Sequence, residues 1–316
     1  MFVGHAFLAF GIVALLAGRY GPETRPLGLP GGVTVGSAVA VGLAAALFSS
    51  LPDVDVAHAA FQVVTLPEES TAFDHFWAAT SERHRTTTHS LVVAVAASVG
   101  FALWPVGRWL GLGVLAGVVA LGAVAGGIVG GAVMTVFVLV GLLVVTLALK
   151  TGLAGRSIFT AAVVGLSIHP FTDLLTGEPP LFFAPWEFAV IGGRIEPFVD
   201  LTLNLLLAFG TELAVIWFGL LVGLWLAGID WRRHVHAAAT VGIAYAPMAL
   251  VLRQPSVDNA TPFVATILLV GMVGVVSFRR PVSSDTTVTA ALTALATITF
   301  AWLGFTLAYV TVTGSV

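Results

Sequence analysis

The chain has 316 residues, of which 58% are hydrophobic and only 9% charged, and its mean hydropathy is +1.02. A soluble domain carries about 25% charged residues, so this composition excludes an ordinary soluble protein and indicates an integral membrane one. With a net charge of −3 and Lys150 as the single lysine there is no basic face for nucleic acid, and without cysteine there is neither disulfide nor thiolate metal site.

Runs apolar and long enough to cross or nearly cross a bilayer lie near residues 3–18, 33–51, 89–104, 109–127, 131–149, 157–175, 199–227, 234–252, 262–280 and 287–312, about ten in all. No basic residue precedes the first run and Arg19 follows it, so it reads as a retained span rather than a cleaved leader. The breaks GPETRPLGLPGG (21–32), RQPSVDNATP (253–262) and RRPVSSD (279–285) carry turn chemistry. The stretch 109–149 is too long for one span, and Gly126, Gly127, Gly130 and Gly131 offer a tight turn in its middle, so it is read as two helices. One connection, a polar loop at about 52–88, is much longer than its neighbours, and long ordered loops are usually functional. The fold expected is all-α: a polytopic membrane bundle of about ten transmembrane helices, with residues 1–198 bearing the polar motifs and 199–316 adding further spans.

Charge orients this arrangement. With the N-terminus on side A, the loops on side B hold Arg19, Arg25, Arg108, Lys150, Arg156, Arg232, Arg233, Arg279 and Arg280, and side A receives only Arg83, Arg85, Arg194 and Arg253. The positive-inside rule makes side B cytoplasmic and places the N-terminus and the polar motifs outside, in a multi-pass plasma-membrane protein. The two-helix reading of 109–149 also brings His169 to the same side as the other motifs.

Histidine and aspartate are costly in a membrane and usually mark function. LPDVDVAH offers Asp53, Asp55 and His58 just after a span. Carboxylate oxygen with imidazole nitrogen suits zinc, manganese or iron, whereas the plainer reading is a polar turn that caps a helix. In HRTTTHS, His84 and His89 flank a threonine run in which Thr86, Thr87 or Thr88 can cap the helix that follows, and Arg85 suits bidentate contact with phosphate or carboxylate. HPFTD sets His169 and Asp173 at i and i+4 on one helix face, as two ligands to one ion, as ligand and orienting partner, or as a buried packing pair beside the helix-bending Pro170. His5 lies one turn into the first helix on the same side. His75 reads as an ordinary loop residue, and His234 with His236 as a helix start facing headgroups. Glu212, mid-span with Asp200 and Asn204 above it, is either functional or a hydrogen-bonded packing residue.

An N-terminal His, a PDxD loop, HRxxTHS and a later HxxxD, in this order and spacing, resemble the YdjM-like membrane-bound metal-dependent hydrolases. The resemblance covers roughly residues 1–190, and the spans from about 199 onward match nothing recognised. Val56 and Ala57 precede His58, where many relatives place His directly after the second Asp. The motif order is also similar to that of zinc-dependent phospholipase C and the related single-strand nucleases. These resemblances imply a metal shell of His5, Asp53, His84, His89, His169 and Asp173, with His58 as a further possible ligand. They imply about two or three divalent ions, zinc or manganese, that activate water. Asp55 and Arg85 would stand beside the substrate, Asp55 accepting the water's proton and Arg85 neutralising phosphoryl charge. The implied substrate is a lipid-linked or small phosphoester, and the partners are membrane lipids and no nucleic acid. Two other classes fit the same residues: an ion-handling transporter using His169, Asp173 and Glu212, and a membrane scaffold with a structural metal.

Overall fold

A computed structural model describes residues 3–20, 26–28, 34–56, 85–177, 179–186, 190–252, 254–276 and 284–314. His58, His75, His84 and most of the long polar loop lie outside the described residues. In chain order the helices are α1 (Gly4–Tyr20), α2 (Ser37–Ser49), α3 (Leu91–Leu103), α4 (Arg108–Lys150), α5 (Gly155–Thr172), α6 (Leu201–Leu226), α7 (Met248–Val251), α8 (Thr261–Val276) and α9 (Ser284–Thr313). Among the described residues five helical segments are long and apolar enough to cross a membrane: Ser37–Asp55, Arg108–Lys150, Gly155–Leu175, Leu201–Leu226 and Thr286–Thr313. Shorter apolar helices occupy Gly4–Arg19, Leu91–Leu103, Ala237–Val251 and Thr261–Met272.

Two local details add to these expectations. The 21–32 break contributes to a small antiparallel ribbon, with β1 (Pro26–Gly28) pairing β2 (Thr34–Gly36). The span expected at 234–252 is a long 3-10 run, Ala237–Tyr245, followed by the single turn α7; Pro247, which has no N–H to donate, separates the two.

The 109–149 stretch is one helical element broken at Gly127, whose φ of 63° and ψ of −150° are open only to glycine. A Cβ on Gly130 would collide with the carbonyl of Gly122, and one on Gly122 with the side chain of Met134. Along one straight helix residues 122 and 130 would stand about 12 Å apart. The chain therefore doubles back into two antiparallel legs, 108–126 and 128–150, as the glycine spacing indicates.

The chain forms two compact units, Met1–Arg194 with Phe218–Leu226, and Ile195–Trp217 with Ala227–Val316, so that α6 is divided between them. In the first, Phe48, Phe101, Leu115, Phe137, Ile158 and Leu166 fill a core edged by the buried alanines Ala9, Ala44, Ala45, Ala97, Ala161 and Ala162. Small residues let helix backbones approach closely where there is no water to drive association. Leu16, Leu43, Leu47, Leu139, Leu143 and Leu147 point outward, as lipid-facing side chains do. In the second unit Leu205, Tyr245, Phe263, Ile267 and Phe305 pack together. There Asp200 Oδ1 accepts from Thr202 N (2.8 Å) and Leu203 N (3.1 Å) at the start of α6, and Tyr309 OH donates to its Oδ2 at 2.9 Å.

Candidate metal centre

Four helix ends in the first unit deliver the polar motifs to one place. His5 is in the first turn of α1. Asp53 and Asp55 lie in a 3-10 turn, Pro52–Asp55, that Pro52 starts where α2 ends. His89 closes a second 3-10 turn, Thr87–His89, just before α3. His169 is in the last turn of α5, and Asp173 follows in the turn Asp173–Leu175. Helix ends suit a polar site because their backbone groups need partners in any case.

The donor atoms converge. His169 Nε2 lies 3.0 Å from His89 Nε2, 3.3 Å from Asp53 Oδ1 and 3.5 Å from Asp173 Oδ2. His89 Nε2 lies 3.4 Å from Asp173 Oδ2 and 3.8 Å from Asp53 Oδ1, and His5 Nε2 lies 3.6 Å from Asp53 Oδ2. They make two triads, His5–Asp53–His169 and His89–His169–Asp173, that share His169. Ligands about 2.0–2.1 Å from a tetrahedral ion stand about 3.3 Å apart, so these spacings fit a divalent cation.

Hydrogen bonds set the direction of the His169 ring. Its Nδ1 lies 2.6 Å from the Ser49 carbonyl, which can only accept, so Nδ1 carries the proton and Nε2 presents its lone pair to the cluster. Ser49 Oγ donates to the His5 carbonyl (3.1 Å), and this one residue at the end of α2 thereby ties α1 and α5 together. Burial works to lower the pKa of His89, but Asp173 and Asp53 outweigh it and hold the ring above the ordinary histidine value. Two imidazole nitrogens 3.0 Å apart between carboxylates call for a positive centre, either a proton or a metal ion. His5, His89, His169 and Asp173 are buried, whereas the Asp53 side chain is 35% exposed and marks the accessible edge.

The remaining residues surround this cluster. Arg85 Nε lies 3.3 Å from Asp173 Oδ2, and a Cβ on Gly177 would collide with the Arg85 guanidinium, so only glycine leaves room for it. Arg85 holds a left-handed φ of 67°, and its carbonyl accepts from Leu181 N at 3.1 Å. Asp55 reaches His89 from the other side of the ring, with Oδ2 3.5 Å from Nδ1. It also borders a cleft of about 320 Å³ lined by Thr86, Thr87, Thr88 and the tip of the α4 hairpin. Helix α3 is capped by Ser90, whose Oγ accepts from Val92 N (3.2 Å), rather than by a threonine, so His89 precedes the helix instead of starting it. Ser90 Oγ also donates to the Ala184 carbonyl at 2.9 Å. Glu212 is in the second unit and in neither triad. Asp200 and Asn204 cap α6: Asn204 Oδ1 accepts from Phe198 N and its Nδ2 donates to Phe198 O. His236 Nδ1 accepts from Ala238 N at the start of the 3-10 run, and His234 Nδ1 meets Thr289 Oγ1 at 2.9 Å.

Ser49, Thr88 and Gly177 are neighbours of the cluster that motif spacing does not single out. The only signal for Thr88 is its place beside His89 in the threonine run. No curated protein and no solved structure matches the chain. A family model described as YdjM inner membrane protein matches residues 1–256, well past the roughly 190 residues over which the motifs carry the resemblance. With its buried His and Asp groups at one end of several candidate membrane spans, the chain belongs to the YdjM inner membrane protein family.

Proposed function

We propose that this protein is a membrane-embedded metal-dependent hydrolase of phosphoesters, acting on a lipid-linked or membrane-associated substrate at the outer face of the plasma membrane. The observation that carries this reading is the convergence of three histidine Nε2 atoms with the Asp53 and Asp173 carboxylates, open at Asp53. His5, Asp53, His89, His169 and Asp173 would hold a divalent cation, zinc or manganese. When bound, such a cation supplies Lewis acidity that makes water a competent nucleophile near neutral pH. Asp53, at the accessible edge, is placed to orient an incoming water. Arg85, braced on Asp173 at 3.3 Å, stands where a guanidinium can stabilise charge on a phosphoryl oxygen. In this reading the four shorter apolar helices also cross the membrane, for about ten spans in all, with the arginine-rich loops in the cytoplasm. Gathering at one end of the helices supports hydrolysis over a conduction path, which needs ionisable groups spread across the bilayer.

The test is hydrolysis by detergent-purified protein reloaded with zinc or manganese, assayed on lipid and water-soluble phosphoesters. Turnover that disappears with a chelator and in a folded His169→Ala variant is expected. Stoichiometric metal without turnover on any phosphoester would replace this reading with a structural metal staple.

A further inference from the structure

The outward nitrogen of His89 meets a side chain, whereas that of His169 meets a backbone carbonyl. Its Nδ1 lies 2.9 Å from Thr88 Oγ1, and Thr88 Oγ1 donates to Asp55 Oδ2 at 2.7 Å. A hydroxyl has one proton. Thr88 commits that proton to Asp55, so toward His89 it can only accept. Nδ1 of His89 must then be the protonated nitrogen, and Nε2 is left with its lone pair facing His169, Asp53 and Asp173. Asp55 thus acts on His89 at one remove, from the side of the ring opposite the donor atoms. Its carboxylate and the Thr88 hydroxyl are almost fully buried there and bordered by the cleft at the hairpin tip.

We infer that Asp55 and Thr88 are positioning residues that set the tautomer and ring orientation of His89 for metal binding, and that Asp55 is not the group that accepts a proton from substrate water. The inference rests on the metal-centre reading. Its geometry has a counterpart at His169, where the Ser49 carbonyl does the same work without a titratable group. Groups that orient a ligating histidine typically contribute about 10–100-fold to metal affinity.

The experiment is a Co²⁺ titration of the full-length protein in detergent, read by visible ligand-field absorption and by competition with a chromophoric chelator. The variants are Thr88→Val, Thr88→Ser and Asp55→Asn, each with a thermal melt of the metal-free protein. Thr88→Val should bind Co²⁺ about 10–100-fold more weakly with an altered spectrum, and Thr88→Ser should restore both. Wild-type affinity and spectrum in Thr88→Val would overturn the inference. If Thr88→Val does not fold, Asp55→Asn decides: a loss of about tenfold or more at an unchanged melting point supports the inference, and unchanged affinity overturns it. Failure of the wild type itself to bind Co²⁺ would instead overturn the metal-centre reading, and this inference with it.

Discussion

Replacing His169 with alanine should damage the centre more than any other single change, because both triads use the same ring. Its Nδ1 is engaged by Ser49, so Nε2 is its only available lone pair, and one lone pair serves one ion. On the proposed reading the described ligands would complete one tight site per chain, and a second ion would have to do without His169. Zinc sites with four ligands release about 10–16 kcal/mol, so one ligand in four accounts for about 2.5–4 kcal/mol. At about 1.4 kcal/mol per decade, His169→Ala should weaken binding by about 10²–10³-fold. Chelator competition with purified protein measures this, with His5→Ala and Asp173→Asn as variants that each touch a single triad. Thermal melts of the metal-free proteins separate lost ligation from lost fold. Two equally tight ions per chain, or an affinity in folded His169→Ala within about threefold of the wild type, would refute the shared-ligand geometry.

Acidification should weaken metal binding, because ligating imidazoles must give up their protons. Asp173 and Asp53 raise the His89 pKa, so the loss should begin above the ordinary histidine value of about 6.5; a pH-independent affinity would count against His89 as a ligand. Gly177→Val should push the Arg85 guanidinium off Asp173 and lower kcat by up to about 10²-fold at an unchanged metal-to-protein ratio; parallel loss of metal would give Arg85 a structural role instead. Since the chain lacks cysteine, Val124→Cys near the hairpin tip and Val106→Cys beside Arg108 can report orientation, both sites being exposed. An impermeant maleimide should label Val124→Cys in intact cells and Val106→Cys only after permeabilisation, and the reverse pattern would invert the topology.

Much of this was legible because membrane sequences separate apolar from polar residues so sharply. His5, Asp53, His89, His169 and Asp173 stand out for their cost in an apolar setting, and the glycines at 126–131 announce the reversal in α4. What escaped depends on geometry that no periodicity encodes. Ser49 acts through a carbonyl that every residue possesses, so its identity says nothing about its contact with His169. Thr88 was one of three equivalent threonines until the turn at 87–89 pointed it at Asp55, and Ser90 took over the capping role expected of them. The hydropathy of 234–252 suggested an ordinary helix, because composition does not distinguish a 3-10 run from an α-helix.

The order in which the donors appear along the chain bears on how the protein is made. His5 leaves the ribosome early, yet its triad is not complete until His169, and the second triad not until Asp173, after both legs of the α4 hairpin have been made. During that interval the early helix ends carry unpaired aspartates and histidines with no cation to share. On the metal-centre reading, loading would be a late event in biogenesis, and cells starved of the ion should accumulate an inserted but protease-sensitive precursor, with metal supply acting as a quality check on assembly.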